Sequence, residues 1–239
     1  MAQDNPTYTV SDVITDVNNR TRNPGLSNSV LIPWVSYAYN RLYNKILNVN
    51  QQIKEQLFSA YTTIPLVSGT SEYTITTYMP RYHSMIKVEM LYGATGDQRV
   101  TARKIPSIAY WKLQNQVSTS YANKGAPMWY ILGSLIGFIP TPDGGTAYIW
   151  YVKRGTQLTE VADAIDIPYR YVYPVIDYVE AKIIARINED YSTADMLERK
   201  FASQLEEVAE MVDGEYSEFE GNSIVDMEGG VELNPFAEP

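Results

Sequence analysis

Three carboxylates close together, Glu160, Asp163 and Asp166, are the residues of this chain best placed by type and spacing to do chemistry. Two carboxyl groups flanking a sugar linkage can share the acid, base or nucleophile work of hydrolysis, and their separation sets the outcome. The same residues have a plainer use. Asp166-Ile167-Pro168 precedes a helical pattern, and acids satisfy the free N–H groups and the dipole of a helix's first turn. That reading is preferred, and Glu189-Asp190 is read likewise as a polar turn between helices. The chain has one histidine, His83, and no cysteine. No His-x-x-His or His-Glu-x-x-His spacing occurs, so no metal site is spelled out, and His83 reads as a loop or strand-end residue. Nucleophile-elbow, Walker and dinucleotide fingerprints are absent as well. No cofactor is called for, and the expectation is a protein that is not an enzyme.

Cations offer the second candidate chemistry. Lys153 and Arg154 follow a Tyr/Trp-rich run and, with Arg103 and Lys104, could mark basic points on a sheet rim. Aromatic neighbours beside cations can stack on nucleic-acid bases. The net charge is −9, however, and affinity for a phosphate backbone needs clustered positive charge. Ion pairs with a neighbouring subunit are the favoured reading. Glu215–Pro239 holds seven acids and no Lys or Arg. Tyr216, Phe219 and Phe236 lie among those acids, too sparse for a core of their own. This segment is expected to order on a partner, the interaction candidates being Lys153, Arg154, Asp163, Asp166, Tyr216, Phe219 and Phe236. Twenty tyrosines against five phenylalanines also suit a surface built for contact.

The elements that must position these residues fall into three blocks. Val10, Val13, Ile14 and Val17 share a helical face, with Thr9 or Ser11 as cap and Asn23-Pro24-Gly25 as stop. Leu31 to Leu57 repeats apolar residues every three or four positions, which predicts one helix over 33–58 with Pro33 in its first turn and a weak point at Asn48–Asn50. Short β runs then follow: 61–67 and 72–76 as a hairpin, 85–92, 100–105 pairing back on it, 128–132, 135–139 and 147–153, with a tight turn at Gly133-Ser134 and a short helix over 106–114. Val172 to Ile187 and Ala194 to Val212 form two more apolar stripes, the second capped by Ser192 or Thr193 and ended by Gly214. The fold class is α+β: a four-helix bundle from the N- and C-terminal helix pairs, with an inserted antiparallel sheet or small sandwich. Segments 1–60, 61–155, 156–214 and 215–239 are its expected parts. The N-terminus lacks a signal peptide's pattern and no run is long enough to span a bilayer, so synthesis in the cytoplasm and no membrane contact are expected.

One ordered set of short pieces goes further. Ile64-Pro65-Leu66-Val67-Ser68-Gly69 precedes Glu72-Tyr73-Thr74-Ile75 and then the strand Ile86–Leu91. Ala126-Pro127 with Trp129-Tyr130 comes next, then Ile139-Pro140-Thr141-Pro142-Asp143. Tyr151-Val152-Lys153-Arg154, Leu158-Thr159 and Asp166-Ile167-Pro168 close the series. In that order they resemble the head-to-tail adaptor (connector) proteins of tailed bacteriophages. Gly155 stands where that family usually has Pro, and Thr76-Thr77-Tyr78 where it has Leu-Pro. The resemblance implies a structural virion protein at the head–tail interface. It implies a ring, commonly of twelve subunits, that docks on the portal protein, carries the tail or nozzle proteins, and passes genomic DNA through its lumen without specific binding. The alternatives are a tail-associated cell-wall glycoside hydrolase using the acidic loop, and a Tyr-rich glycan-binding module.

Overall fold

A computed structural model describes residues 8–21, 26–92, 98–107, 122–187 and 189–217, with side chains as far as Glu215. It is α+β, with six helices among the described residues and two four-stranded sheets.

Helix α1 is Val10–Thr21. Thr9 caps it: the Asp12 N–H reaches Thr9 Oγ1 at 3.4 Å while Asp12 Oδ2 accepts the Thr9 N–H at 2.8 Å, a reciprocal capping box. Helix α2 spans Asn28–Leu47. Its start lies earlier than the periodicity predicts, so Pro33 falls inside it. Pro33 cannot donate to the Ser29 carbonyl, but Ser29 is exposed, so water can take that acceptor. The helix predicted to reach Phe58 breaks where the asparagines cluster. Asn50 turns extended (φ −152°), and its side chain accepts the Ile53 N–H at 2.9 Å to cap a separate α3, Gln51–Phe58.

The strands are β1 Ser59–Pro65, β2 Glu72–Thr74, β3 Tyr82–Leu91, β4 Val100–Thr101, β5 Arg103–Lys104, β6 Met128–Leu132, β7 Leu135–Ile139 and β8 Thr146–Lys153; one turn of helix, α4 (Ile75–Tyr78), separates β2 from β3. The first sheet is ordered β1-β8-β3-β4 and the second β2-β7-β6-β5. The predicted hairpin of β1 with β2 does not form. β1 pairs with β8 and β2 with β7, so the two strands are edges of different sheets. Ile64 and Tyr73 both point into the apolar layer between the sheets, and the chain steps across that layer instead of folding back in plane. The run 100–105 also divides. β4 pairs with β3 as expected, whereas β5 crosses over to lie parallel to β6, making the second sheet mixed rather than antiparallel. Gly133, at φ +60°, gives the β6–β7 turn a corner that L side chains rarely take. The predicted helix over 106–114 and the stop at Asn23-Pro24-Gly25 lie largely or wholly outside the described residues.

Helices α5 (Tyr173–Ile187) and α6 (Tyr191–Ser217) complete the bundle. Pro174 sits in the first turn of α5, where no N–H is needed. The cap of α6 is Asp190, not Ser192 or Thr193; its carboxylate accepts the Thr193 N–H at 3.0 Å. α6 also runs through Gly214 to Ser217, held past the glycine by Glu215, which accepts from the Tyr171 hydroxyl at 2.6 Å and pairs with Arg170 at 2.5 Å.

Two apolar cores result. Helices α1, α2, α3, α5 and α6 bury one, which takes in Val152 of β8 and Leu158, Ile165 and Ile167 of the following loop. The other fills the space between the sheets. Strand β8 joins them, since Ile149 and Tyr151 face the sandwich while Val152 faces the bundle.

Candidate interaction surfaces

The acidic loop is built for support. Asp163 accepts the Thr159 and Glu160 N–H groups at 2.6 and 2.8 Å, and these bonds hold its carboxyl below the ordinary carboxylate range. Its carbonyl accepts the Val10 N–H at 3.0 Å, tying the loop to the start of α1. Asp166 is not a helix cap. Its Oδ2 accepts from the Thr156 hydroxyl at 2.6 Å and from Arg81 at 2.5 Å, with Tyr39 Oη at 3.5 Å. Burial pushes this carboxyl upward, but the Thr156 hydroxyl and the Arg81 guanidinium outweigh it and leave the pKa lowered. One oxygen of each carboxylate, Oδ2, is therefore engaged in holding the fold.

Arg81 stands at φ +59°, a backbone state uncommon outside glycine. It turns the chain from α4 into β3, and its carbonyl accepts the Arg154 N–H at 2.6 Å. Its side chain also donates to Thr156. One residue thus ties the sheet rim to the loop that enters the bundle. Neither its conformation nor its partners could be read from sequence. Asp177 of α5 was equally hidden. It is 5% exposed and accepts from Arg20, Lys200 and Gln204 at 2.8, 2.7 and 2.8 Å, binding α1, α5 and α6 together.

Lys153 and Arg154 close β8. The Lys153 carbonyl accepts the Tyr43 hydroxyl at 2.9 Å, fixing the strand end on α2. Arg103 and Lys104 are not brought to them. They lie on the second sheet, with Lys104 over the Trp129 ring. Tyr216 falls on the last turn of α6, and its side chain, like Phe219 and Phe236, lies outside the described residues.

Among the exposed and half-buried apolar side chains described, two groups stand out. Away from α3, the outer face of the first sheet carries Tyr61, Tyr148 and Trp150. Tyr61 sits 5.1 Å from Trp150 between ring centroids, Arg99 stands 3.8 Å over Tyr148, and Lys87 stands 5.6 Å over Trp150. Half of Tyr61 is solvent-exposed. The period-two alternation of Tyr148 and Trp150 in β8 announced this face; that it stays uncovered did not follow from it. The other surface is the tip of the α5–α6 hairpin, where Ile187, Tyr191 and Met196 are exposed.

The family profile described as SU10 adaptor protein matches residues 8–222, from the start of α1 to beyond the end of α6. The chain belongs to the SU10 adaptor protein family. This agrees with the resemblance to phage head-to-tail adaptors, and it covers the bundle and both sheets alike. An adaptor family is structural and implies contact with other phage head and tail components. Among curated proteins no relative matches the chain. Among the described residues, no helix is long and apolar enough to cross a membrane, and no group of three His, Asp or Glu side chains is arranged to hold a metal ion.

Proposed function

We propose that this adaptor assembles side by side into a ring, commonly of twelve copies, docks on the portal of a tailed phage, extends the DNA channel and presents the platform for tail or nozzle proteins. The observation that carries the reading is the family match over residues 8–222. Two surface features support it. A closed ring built head to tail needs two different patches on each subunit. The aromatic face of Tyr61, Tyr148 and Trp150 and the hairpin tip of Ile187, Tyr191 and Met196 are chemically different and lie on separate elements. Stable contacts of this kind bury on the order of 1,000 Å² or more, and aromatic residues with attendant cations are typical anchors.

In this reading, segments 1–60 and 156–217 act as one bundle body, 61–155 as the β body, and 218–239 as a separate acidic segment, the helix α6 having carried the boundary past the expected residue 214. DNA passes the lumen without specific binding, because the net charge of −9 offers it no general attraction. The place of action is the head–tail interface of the virion. Electron microscopy of the chain mixed with portal rings of the same phage tests the reading. A new ring of density on the portal's narrow end is expected. Bare portals beside free subunits would overturn it.

A further inference from the structure

Residues 187–196, where α5 turns into α6, hold three acids and no Lys or Arg. Asp190 is engaged in capping α6, accepting the Thr193 N–H at 3.0 Å and the Thr193 hydroxyl at 2.5 Å. Glu189 and Asp195 are exposed and have no ion pair or hydrogen bond with any described side chain. Beside them Tyr191 and Met196 are 67% and 61% exposed, and Ile187 also meets solvent. Glu189 stands at φ +51°, a left-handed state that costs most side chains energy. Glycine would ease this turn, yet the chain holds a carboxylate there among exposed apolar residues.

The tip lies far from the sheets of its own subunit. Glu206 of α6 pairs with Lys45 near the end of α2, and Asp213 accepts from Asn50, the cap of α3, at 2.7 Å. From Tyr191 to Glu206 the helix rises about 22 Å, and α3 leads straight into β1. At the tip, Arg186 stands over the ring of Trp34, in the first half of α2. The tip and α3 therefore mark opposite ends of the bundle, and the tip cannot fold onto the first sheet of its own subunit.

That sheet has an outer face only half covered by helix. Val152 and Trp150 are two residues apart in β8 and so share one side of the strand. Val152 is buried in the bundle core, whereas Trp150 and Tyr148 continue the same side partly exposed, with Tyr61 in register beside Trp150. Arg99, 3.8 Å over Tyr148, faces no acid among the described side chains, while Lys87 is paired with Glu89. The face is thus aromatic with one unmatched cation. The tip is apolar with two unmatched anions. Tyr, Trp, Met and Arg are the types that interfaces concentrate, and a thioether packs well on aromatic rings.

We propose that the α5–α6 tip of one copy seats on the uncovered outer face of the first sheet of the next copy. Tyr191 and Met196 lie against Tyr61 and Trp150, and Glu189 and Asp195 face Arg99. The pairing rests on the ring reading above and names its two surfaces. Each copy offers one tip and one face, far apart on the subunit, so one repeated rotation satisfies both. A two-fold dimer through the sheets would instead leave the tips bare and bring two copies of Arg99 into one contact.

The chain has no cysteine, so introduced thiols report unambiguously. Chains carrying Thr63→Cys, on the face beside Tyr61, are mixed with chains carrying Ser192→Cys, at the tip, then added to portal rings and oxidised. A disulfide between positions 63 and 192 of different copies is expected by mass spectrometry. Arg99→Glu in the first chain should lower its yield about tenfold, since like charges then meet, and Glu189→Arg/Asp195→Arg in the second should restore it. Disulfides joining only like positions would assign a two-fold contact and overturn the pairing. Rings of density on the portal without the 63–192 disulfide would overturn the pairing and leave the ring reading standing. The disulfide in chains that never load onto portals would support the pairing and overturn the portal reading. Neither ring nor disulfide would overturn both.

Discussion

Removing the Asp177 carboxylate tests the central joint of the bundle. In Asp177→Ala, the Gln204 amide loses its acceptor while only 6% exposed, and its Oε1 already lacks a hydrogen-bond partner. A stranded buried amide costs about 1–3 kcal/mol. Arg20 and Lys200 lose their anion too, but their side chains are 45% and 55% exposed and recover hydration. Each then contributes no more than about 0.5–1 kcal/mol. The sum is about 3 kcal/mol, or a Tm lower by about 6–12 °C for a chain of this size. Urea unfolding followed by circular dichroism measures it, with exposed Asp195→Ala as the control. The pH dependence gives an independent check. The Asp177 carboxyl is lowered from 3.8: burial opposes its charge, but Lys200, Gln204 and Arg20 prevail. Its contribution is therefore complete above about pH 4 and is lost as pH falls through the depressed folded value. The gap between wild type and Asp177→Asn should be full at pH 7 and close in acid. A loss below about 1 kcal/mol, or a gap unchanged by acid, would refute the reasoning.

At Gly137 an added Cβ would stand 2.1 Å from the Tyr130 ring, whose hydroxyl donates to Glu72 at 2.7 Å. Gly137→Ala should cost about 2–4 kcal/mol in the same urea assay by displacing a buried ring and its charged hydrogen bond; wild-type stability would show that Tyr130 moves freely. Arg81→Ala removes the cation that offsets burial at Asp166, so the Asp166 pKa should rise, and this joint should fail at a higher pH than in wild type; carboxyl NMR titration reads the shift, and an unchanged value would mean that Thr156 alone holds the carboxylate. Tyr61→Ala with Trp150→Ala should leave stability within about 1–2 kcal/mol, because both rings lie on the outer sheet face, yet weaken self- or portal association at least about tenfold, as losing an aromatic anchor does. Unchanged association by analytical ultracentrifugation or portal pull-down would remove that face from the interfaces.

Local sequence determined the elements wherever an apolar face repeats over several turns or several alternating positions. Helices α1, α5 and α6 and strand β8 follow from such stripes, because burial of one face dominates the choice of backbone, while β6 and β7 follow from short apolar runs either side of the Gly133-Ser134 turn. The Asn48–Asn50 weakness was visible for the same reason: asparagine side chains compete for backbone bonds and favour caps. Tertiary structure decided partners. Nothing local tells β1 to pair with β8 rather than β2, or β5 to run beside β6, since edges choose the sheet that buries them. It also decided the fate of charges. Asp163 and Asp166, which by type could have catalysed, became a turn clasp and one end of the Arg81 joint. Asp177, silent in the sequence, became the carboxylate shared by three helices. A residue's type is fixed by the chain, but whether its charge meets water, a cation or nothing depends on what folding brings within about 4 Å.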